Sequence, residues 1–326
     1  MRIPILLGLL LSTAAFAQNY TLTTQSNLVL VPTTVQNTHG DILYGLKPEQ
    51  FILEDNGVRQ AVHVEEDTDA LGLSLVVVVQ CSRDAYRDFP KLHTLNTMIE
   101  GIVGDAPRQI AVVTYGTEPV LLGDFTKDPA ELKETLDQLA PCHDDDNAAT
   151  LDAVAYATTL LDARKDHTRH AILLISETRD HGSKIKPEQA IADLGRTNTV
   201  VDAVSFTPSK TQLLDELRNG SYGPTNYIPL MVIAVNGLRK NVPHELTALS
   251  GGEYTNFTTQ KGFDQGLHQL SNHIHNYYLL SFQPPAAATS GLHSIHIRVP
   301  DYPDAHIRTR ESYYATGPEN PTSPPR

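Results

Sequence analysis

The sequence is short of basic charge. Its 326 residues include 25 Lys and Arg against 38 Asp and Glu, a formal net charge of -13. No run of Lys or Arg occurs anywhere. A broad nucleic-acid surface is therefore excluded, because phosphate binding needs a basic patch. Cysteine is nearly absent, with Cys81 and Cys142 alone. In an exported protein an even count permits one disulfide, and two buried thiols are the alternative. No G-x-S-x-G elbow, H-E-x-x-H pair or P-loop is present. A hydrolase is disfavoured, since no nucleophile–base pair stands out. The fourteen His are scattered. His273 and His275 do not share a helical face, so they read as surface or cap residues. His143 beside Cys142 raises a thiol nucleophile, which a disulfide would preclude. Beyond the N-terminus no segment is long and apolar enough to span a bilayer.

What is present begins with an export signal. Arg2 precedes the apolar run Ile3 to Leu11, and Ala15-Phe16-Ala17 offers small residues at both cleavage positions. Residues 1–17 read as a secretory signal, with the cut before Gln18. The expected product is soluble, periplasmic or extracellular, with no membrane span. Hydrophobic residues make up 40% and charged residues 19% of the chain, enough for one large or two medium domains.

The organising stretch is Leu71 to Asp84, LGLSLVVVVQCSRD. Leu75 to Val79 is apolar without alternation, which fits a strand covered on both faces. It stops at Gln80-Cys81-Ser82-Arg83-Asp84, a polar cluster where open α/β sheets place ligand sites. Downstream, strands and helices alternate. Strands fall at 109–115, 170–176 and 199–205, with helices at 89–103, 129–139, 150–161 and 187–194. That order implies right-handed crossovers and a mostly parallel sheet. Residues 120–125 read as a short extension or hairpin partner. Residues 207–227 are polar and read as an insertion. A helix at 242–249 stops at Gly251-Gly252, and another runs over 262–275, after a short strand at 254–257.

Both chain ends read as β. Asn27 to Gln36 is a strand whose Pro32 suggests an edge or bulge. Ile52–Glu54, the turn Asp55-Asn56-Gly57 and Gln60–Glu65 form a hairpin. Strands recur at 277–282, 293–299 and 306–313, and a Pro-rich tail closes the chain. The N-terminal unit is too small to hold its own core, and the C-terminal strands need partners. The expected organisation is a half-module at 27–66, an α/β domain at 70–276, completing strands at 277–315 and a disordered tail at 316–326.

Taken together, NLVLVPTTV, GDILYGLKPEQFILEDNGVRQAV, NYYLLSFQP, Gly291 to Val299 and Arg310 to Ala315 resemble a known pattern. The chain resembles a von Willebrand factor A (VWA) domain protein, and more narrowly a VWA-related exported family typical of Acidobacteria. The resemblance covers nearly all of the chain beyond the signal. It implies a VWA-like (Rossmann-like) doubly wound sheet with helices on both faces, plus a small β-sandwich-like module from the two chain ends. It also implies a non-enzymatic protein-binding function, with another exported or cell-envelope protein as partner.

The family's site binds a cation through D-x-S-x-S, a Thr on a later loop and an Asp after the fourth strand. A hard cation takes about six oxygens, and hydroxyls with one or two carboxylates leave one position open. Here Gln80 stands for the first Asp, Ser82 for the central Ser and Asp84 for the last Ser. Thr150 matches the Thr, and Glu177 stands for the later Asp. Two readings follow. Asp84, Glu177, Ser82 and Thr150 still hold Mg²⁺ or Ca²⁺, at most weakly. Alternatively, Gln80 and Arg83 replace the metal with hydrogen bonds and charge, leaving a degenerate adhesion site. The second is the expectation, with the metal-dependent adhesion module as the alternative. The loop His143-Asp144-Asp145-Asp146 lacks the Gly and distal Glu of an EF-hand and reads as solvated. In the implied fold, Cys81 and Cys142 crown the same sheet edge. A bond between them would stabilise by about 4 kcal/mol on the chain-entropy model.

Overall fold

The computed structural model describes residues 28–65, 72–97, 99, 107–143, 145–164, 168–206, 229–285 and 288–316, the side chains at 84 and 272–275 excepted. The signal segment, the insertion at 207–227 and the C-terminal tail therefore fall outside the described residues.

Strand β5, Leu73–Gln80, forms because five successive apolar residues can be buried on both sides at once. All eight of its residues are buried. Val76 and Val78 enter one core, while Leu73, Leu75, Val77 and Val79 enter another. On one side β5 pairs in parallel with β6, Arg108–Tyr115, and on the other with β8, Arg169–Ser176. β9, Val200–Phe206, and β10, Tyr254–Phe257, continue the parallel sheet. β7, Pro119–Thr126, returns antiparallel on β6 as a hairpin and forms the far edge.

Helices cover both faces. On the Val76 face lie α2 (Thr150–Asp162), α3 (Pro187–Arg196), α4 (Leu230–Lys240) and α5 (Val242–Ser250). On the Val77 face lie α1 (Pro129–Asp137) and α6 (Gln260–His275). α1 starts as its sequence suggests, with Pro129 in the first turn and the Asp128 side chain accepting from the Ala130 amide. α5 ends at Gly251, whose φ of 85° closes the helix in the left-handed conformation. One expected helix differs. In place of a helix from Phe89, two 3₁₀ turns run over Arg83–Arg87 and Phe89–Thr94; helical residues follow at 95–97 and 99, and the rest of the expected helix to 103 lies outside the described residues. Pro90 accounts for this: it disfavours α geometry at Phe89 and supplies no amide.

The two chain ends fold against each other. One four-stranded sheet runs β13–β1–β11–β4 and the other β14–β12–β2–β3. β1 (Val29–Gln36), β2 (Ile52–Asp55), β3 (Val58–Gln60) and β4 (His63–Glu65) come from the N-terminal side. β11 (Tyr278–Phe282), β12 (Gly291–Arg298), β13 (His306–Thr309) and β14 (Ser312–Ala315) come from the C-terminal side. Their inner faces share a core that includes Val31, Leu53, Phe282 and Tyr313. The turn between β2 and β3 is Asn56-Gly57, both at positive φ, the geometry that matches strand twist in a two-residue hairpin loop.

Three details depart from the sequence reading. β1 is an inner strand, yet Pro32 fits, because β13 pairs only from Thr33 onward. The expected strand Gln60–Glu65 breaks into β3 and β4, which join different sheets. The expected strand 306–313 likewise breaks at Arg310-Glu311 into β13 and β14. A sandwich corner needs such a break, and period-two patterning does not register it.

Candidate functional site

The central strands end at a common carboxyl edge. Gln80, the last residue of β5, is 1% exposed. Its Oε1 accepts from the Glu177 amide at 2.9 Å, and its Nε2 lies 3.3 Å from the Glu177 carboxylate and from the Ser82 carbonyl. The amide side chain thus ties the end of β5 to the residue following β8. Glu177 itself is buried.

Arg83 completes the arrangement. Its Nε is 3.0 Å from Glu177 Oε1, an ion pair between a side chain 32% exposed and one 6% exposed. Its Nη1 donates to the Asp146 carbonyl at 2.8 Å. His181 Nε2 stands 4.0 Å from the same Glu177 oxygen. Arg83 adopts φ 53°, a left-handed conformation uncommon outside glycine. Its amide is held by the Asp145 carbonyl at 3.2 Å, and the neighbouring loop is covalently fixed.

That covalent bond joins Cys81 to Cys142 across a sequence separation of 61, with Cα atoms 5.1 Å apart. The Cys142 amide also donates to the Cys81 carbonyl at 2.7 Å. The acidic loop is thereby held against the end of β5. Part of it is less solvated than expected. Asp145 turns inward and accepts from the Thr117 amide and hydroxyl at 2.6 and 2.7 Å and from the Asn147 amide at 3.0 Å. Partial burial pushes this carboxyl up, but the hydrogen bonds from Thr117 and Asn147 outweigh it and hold it below the usual range. A Cβ at Gly116 would collide with that carboxylate. Asp146 remains exposed.

Ser82 is fully buried, and its hydroxyl donates to the Asn147 carbonyl. Thr150 opens α2, with its hydroxyl 3.1 Å from the Tyr115 hydroxyl. Burial pushes the Tyr115 phenol far above its ordinary range, so it stays neutral. Asp180 accepts from the Leu151 amide at 3.0 Å, placing a carboxylate on the first turn of α2. The structure brings Gln80, Arg83 and Glu177 into direct contact, with Ser82 and Thr150 in the same loop cluster. The Asp84 side chain is outside the described residues. Sequence reasoning missed Asp145 and Asn147 as the loop's internal staples. The D-D-N run and the preceding Thr117 were the available signals.

Among the described residues, this set does not fit a divalent cation. The Glu177 carboxylate is engaged by a guanidinium and an amide N–H, the reverse of an oxygen cage. Two unit charges 4 Å apart interact by about 4 kcal/mol at an effective dielectric of 20, and a dication beside Arg83 would meet roughly twice that repulsion. Among the described residues no group of three or more His, Cys, Asp or Glu is placed to hold a metal.

Several solved structures are similar to part of this chain. Proximal thread matrix protein 1 from the mussel byssus is 13% identical, with 76% of this chain and 50% of that one covered and a TM-score of 0.44. A second structure of that protein, with a zinc-occupied MIDAS motif, gives 14% identity, 69% and 50% coverage and a TM-score of 0.45. The chain thus spans about half the length of the mussel protein. An aerotolerance-related membrane protein of Bacteroides fragilis is 13% identical, with 62% and 99% covered and a TM-score of 0.42. No curated protein matches. Residues 77–179, from the centre of β5 past Glu177, match the von Willebrand factor type A domain model, so this stretch of the central sheet is VWA-like.

Proposed function

We propose that the chain is an exported, non-enzymatic protein-binding module whose VWA-like carboxyl edge works without a metal ion. Its partner is another exported or cell-envelope protein. The observation that carries this reading is the Arg83–Glu177 ion pair locked by Gln80. It places a fixed cation where a divalent ion would otherwise compete. The left-handed backbone at Arg83 supports a functional role for the loop, because strained residues persist where surrounding structure holds them. The narrower likeness to VWA-related exported proteins, and export through residues 1–17, belong to the same proposal. No helix among the described residues is long and apolar enough to cross a membrane.

One arrangement in the β module invites a hydrolytic reading. Thr289 Oγ1, His293 and Asp55 lie in sequence, with His293 Nδ1 2.7 Å from Asp55 Oδ1. But His293 Nε2 sits 2.7 Å from the Thr289 carbonyl and 3.4 Å from its hydroxyl. A ring nitrogen facing a carbonyl must donate, so the imidazole is spent on the backbone and is not poised as a base.

Calorimetry with Mg²⁺, Mn²⁺ and Ca²⁺ tests the metal-free edge. The unaltered chain is expected to show no binding at micromolar concentration. Gln80→Asp with Arg83→Gly restores a carboxylate and removes the cation, and glycine suits the left-handed backbone there. That variant should gain Mg²⁺ affinity. Micromolar Mg²⁺ binding by the unaltered chain, abolished by Thr150→Ala, would instead establish a metal-dependent adhesion module. A pull-down from the exported fraction, repeated with the double variant and with a chelator, tests the binding role. The expected partner is retained in chelator and weakened by the double substitution.

A further inference from the structure

The Pro-rich segment after β14 has no part in the carboxyl-edge site. Its sequence, GPENPTSPPR at 317–326, sets Pro318, Pro321 and Pro324 three residues apart. Three residues make one turn of a polyproline II helix, so in that conformation the three rings share one face. Such a segment offers carbonyl acceptors and few amide donors, and exposed aromatic rings recognise it. The chain has no Trp, which leaves Tyr to supply rings that also donate a hydrogen bond.

One end of the β module presents such rings. Tyr44 is 68% exposed and Tyr302 is 42% exposed. Both are gathered around Tyr278, at the start of β11. The Tyr278 hydroxyl donates to the Leu43 carbonyl at 2.7 Å and accepts from the Leu46 amide at 3.0 Å, so the segment carrying Tyr44 folds over it. Phe51 meets the Tyr278 ring edge-on, with centroids 5.2 Å apart. Beside Phe51, Gln50 donates to Asp301 Oδ2 at 2.9 Å, which ties the loop carrying Tyr302 to the same place. Burial raises the Tyr278 phenol, the Leu46 amide opposes this, and the Tyr44 and Tyr302 phenols lie near enough to add to the rise. The Tyr44 hydroxyl donates to Asn276 Oδ1 at 2.8 Å, which fixes its ring. Among the described residues nothing hydrogen-bonds the Tyr302 hydroxyl, which leaves it as a donor for a carbonyl.

The reach of the chain decides which copy supplies the prolines. β14 ends at Ala315, opposite Gly291, while Tyr302 lies just past Arg298 at the other end of β12. The steps from Gly291 to Arg298 cover about 23 Å. A polyproline II segment leaving Ala315 extends about 9 Å by Pro318, about 19 Å by Pro321 and about 28 Å by Pro324. Only Pro324 comes that far, so the chain does not lay all three of its own prolines on these rings. We propose that Tyr44 and Tyr302 dock the Pro318–Pro324 segment of a second copy of this chain. The proline rings lie against the tyrosine faces, and the Tyr302 hydroxyl donates to a carbonyl of the segment. Reciprocal exchange of the two segments closes a two-fold dimer. The contact is independent of the carboxyl-edge site and of its partner.

Two variants of the full chain separate the parts. Tyr44→Ser with Tyr302→Ser removes the rings, and Pro318→Ser with Pro321→Ser and Pro324→Ser removes the period at constant length. In sedimentation velocity the unaltered chain should associate as concentration rises from micromolar to millimolar. Each variant alone should stay monomeric with its circular-dichroism melt retained. An equimolar mixture of the two should associate again, because one supplies the rings and the other the prolines. A synthetic peptide of residues 316–326 is the direct probe. It should bind the proline variant about tenfold more tightly than the tyrosine variant, ~1.4 kcal/mol. If the tyrosine variant does not fold, the proline variant and competition by the peptide decide. A chain that stays monomeric at every concentration overturns the proposal. So does association untouched by the proline substitutions, a mixture that stays monomeric, or equal peptide affinity for both variants.

Discussion

Glu245 offers a direct test of how the two folding units meet. It lies in the first turn of α5, and the α4 backbone approaches so closely at Gly237 that a Cβ there would strike its carboxylate. Burial pushes this carboxyl from 4.5 to about 7, the charge of Glu311 adds to the rise, and Lys240 opposes it. Glu311 belongs to the corner between β13 and β14, and its amide bonds the Ala248 carbonyl of α5. The carboxylate is therefore strained electrostatically at the seam between the VWA-like sheet and the β module. Between about pH 4.5 and 7 the folded chain holds a proton that the unfolded chain releases. Stability should then fall as pH rises through that window, by up to roughly 3 kcal/mol, and stay lowered above it. Glu245→Gln keeps the shape and removes the charge. It should stabilise by up to that amount at about pH 8, and by nothing near pH 4.5. Urea unfolding midpoints of both proteins, measured across that range, give the answer. Parallel pH profiles, or a variant weaker than the parent at high pH, would refute the reasoning.

The other perturbations follow from single bonds. Replacing Cys81 and Cys142 by Ser removes a link across 61 residues and should cost about 4 kcal/mol, read as a lowered melting temperature that reductant reproduces in the parent; an unchanged melt would mean the denatured loop is already constrained. Arg310→Met leaves the oxygens of Leu30, Gly195, Ser312 and Asn198 without their donor and should destabilise by roughly 3–5 kcal/mol in urea. A change near zero would mean that desolvation of the guanidinium cancels its four bonds. Tyr313→Phe removes the hydroxyl donated to Asp55 Oδ2 at 2.8 Å and should cost about 1 kcal/mol by the same measurement.

Much of the fold was legible because its signals are local. The unbroken run of β5, mostly β-branched, fits a doubly covered strand, and Asp128-Pro129 and Gly251 mark helix ends by their own chemistry. Breaks within strands were not legible. Gln60–Glu65 and 306–313 keep a strand pattern through their corners, because each half still turns alternate residues inward, but toward different sheets. What makes the second corner is Arg310, whose four acceptors lie far away in sequence except Ser312. At the carboxyl edge the identities of Gln80, Arg83 and Glu177 were readable from the resemblance, and so was a filling of the site by hydrogen bonds and charge pairing; which carboxylate, Asp84 or Glu177, Arg83 would meet was not. Whether Arg83 turned outward or onto Glu177 depends on a left-handed backbone that is set by the Asp145 carbonyl and the disulfide.

The charge at that edge has a consistent logic. A site built of two carboxylates and a divalent cation is neutral in sum. Here one carboxylate is replaced by the Gln80 amide, the other persists as Glu177, and the cation is the single charge of Arg83. The Arg83–Glu177 pair is neutral in itself, so the Glu177 carboxylate is balanced when no ion is bound. The difference is in what holds the cation. A coordinated ion leaves one position open and departs into a chelator, whereas a guanidinium is tethered and leaves only its exposed third for a partner. The disulfide then takes over the second task of a bound ion, which is to keep the loops around it in register. Cys81 lies between Gln80 and Ser82, so the covalent link fixes the very turn from which Arg83 reaches Glu177. Removal of either the charge pair or the disulfide should therefore loosen the same loops, and the two losses should be less than additive because they share that turn.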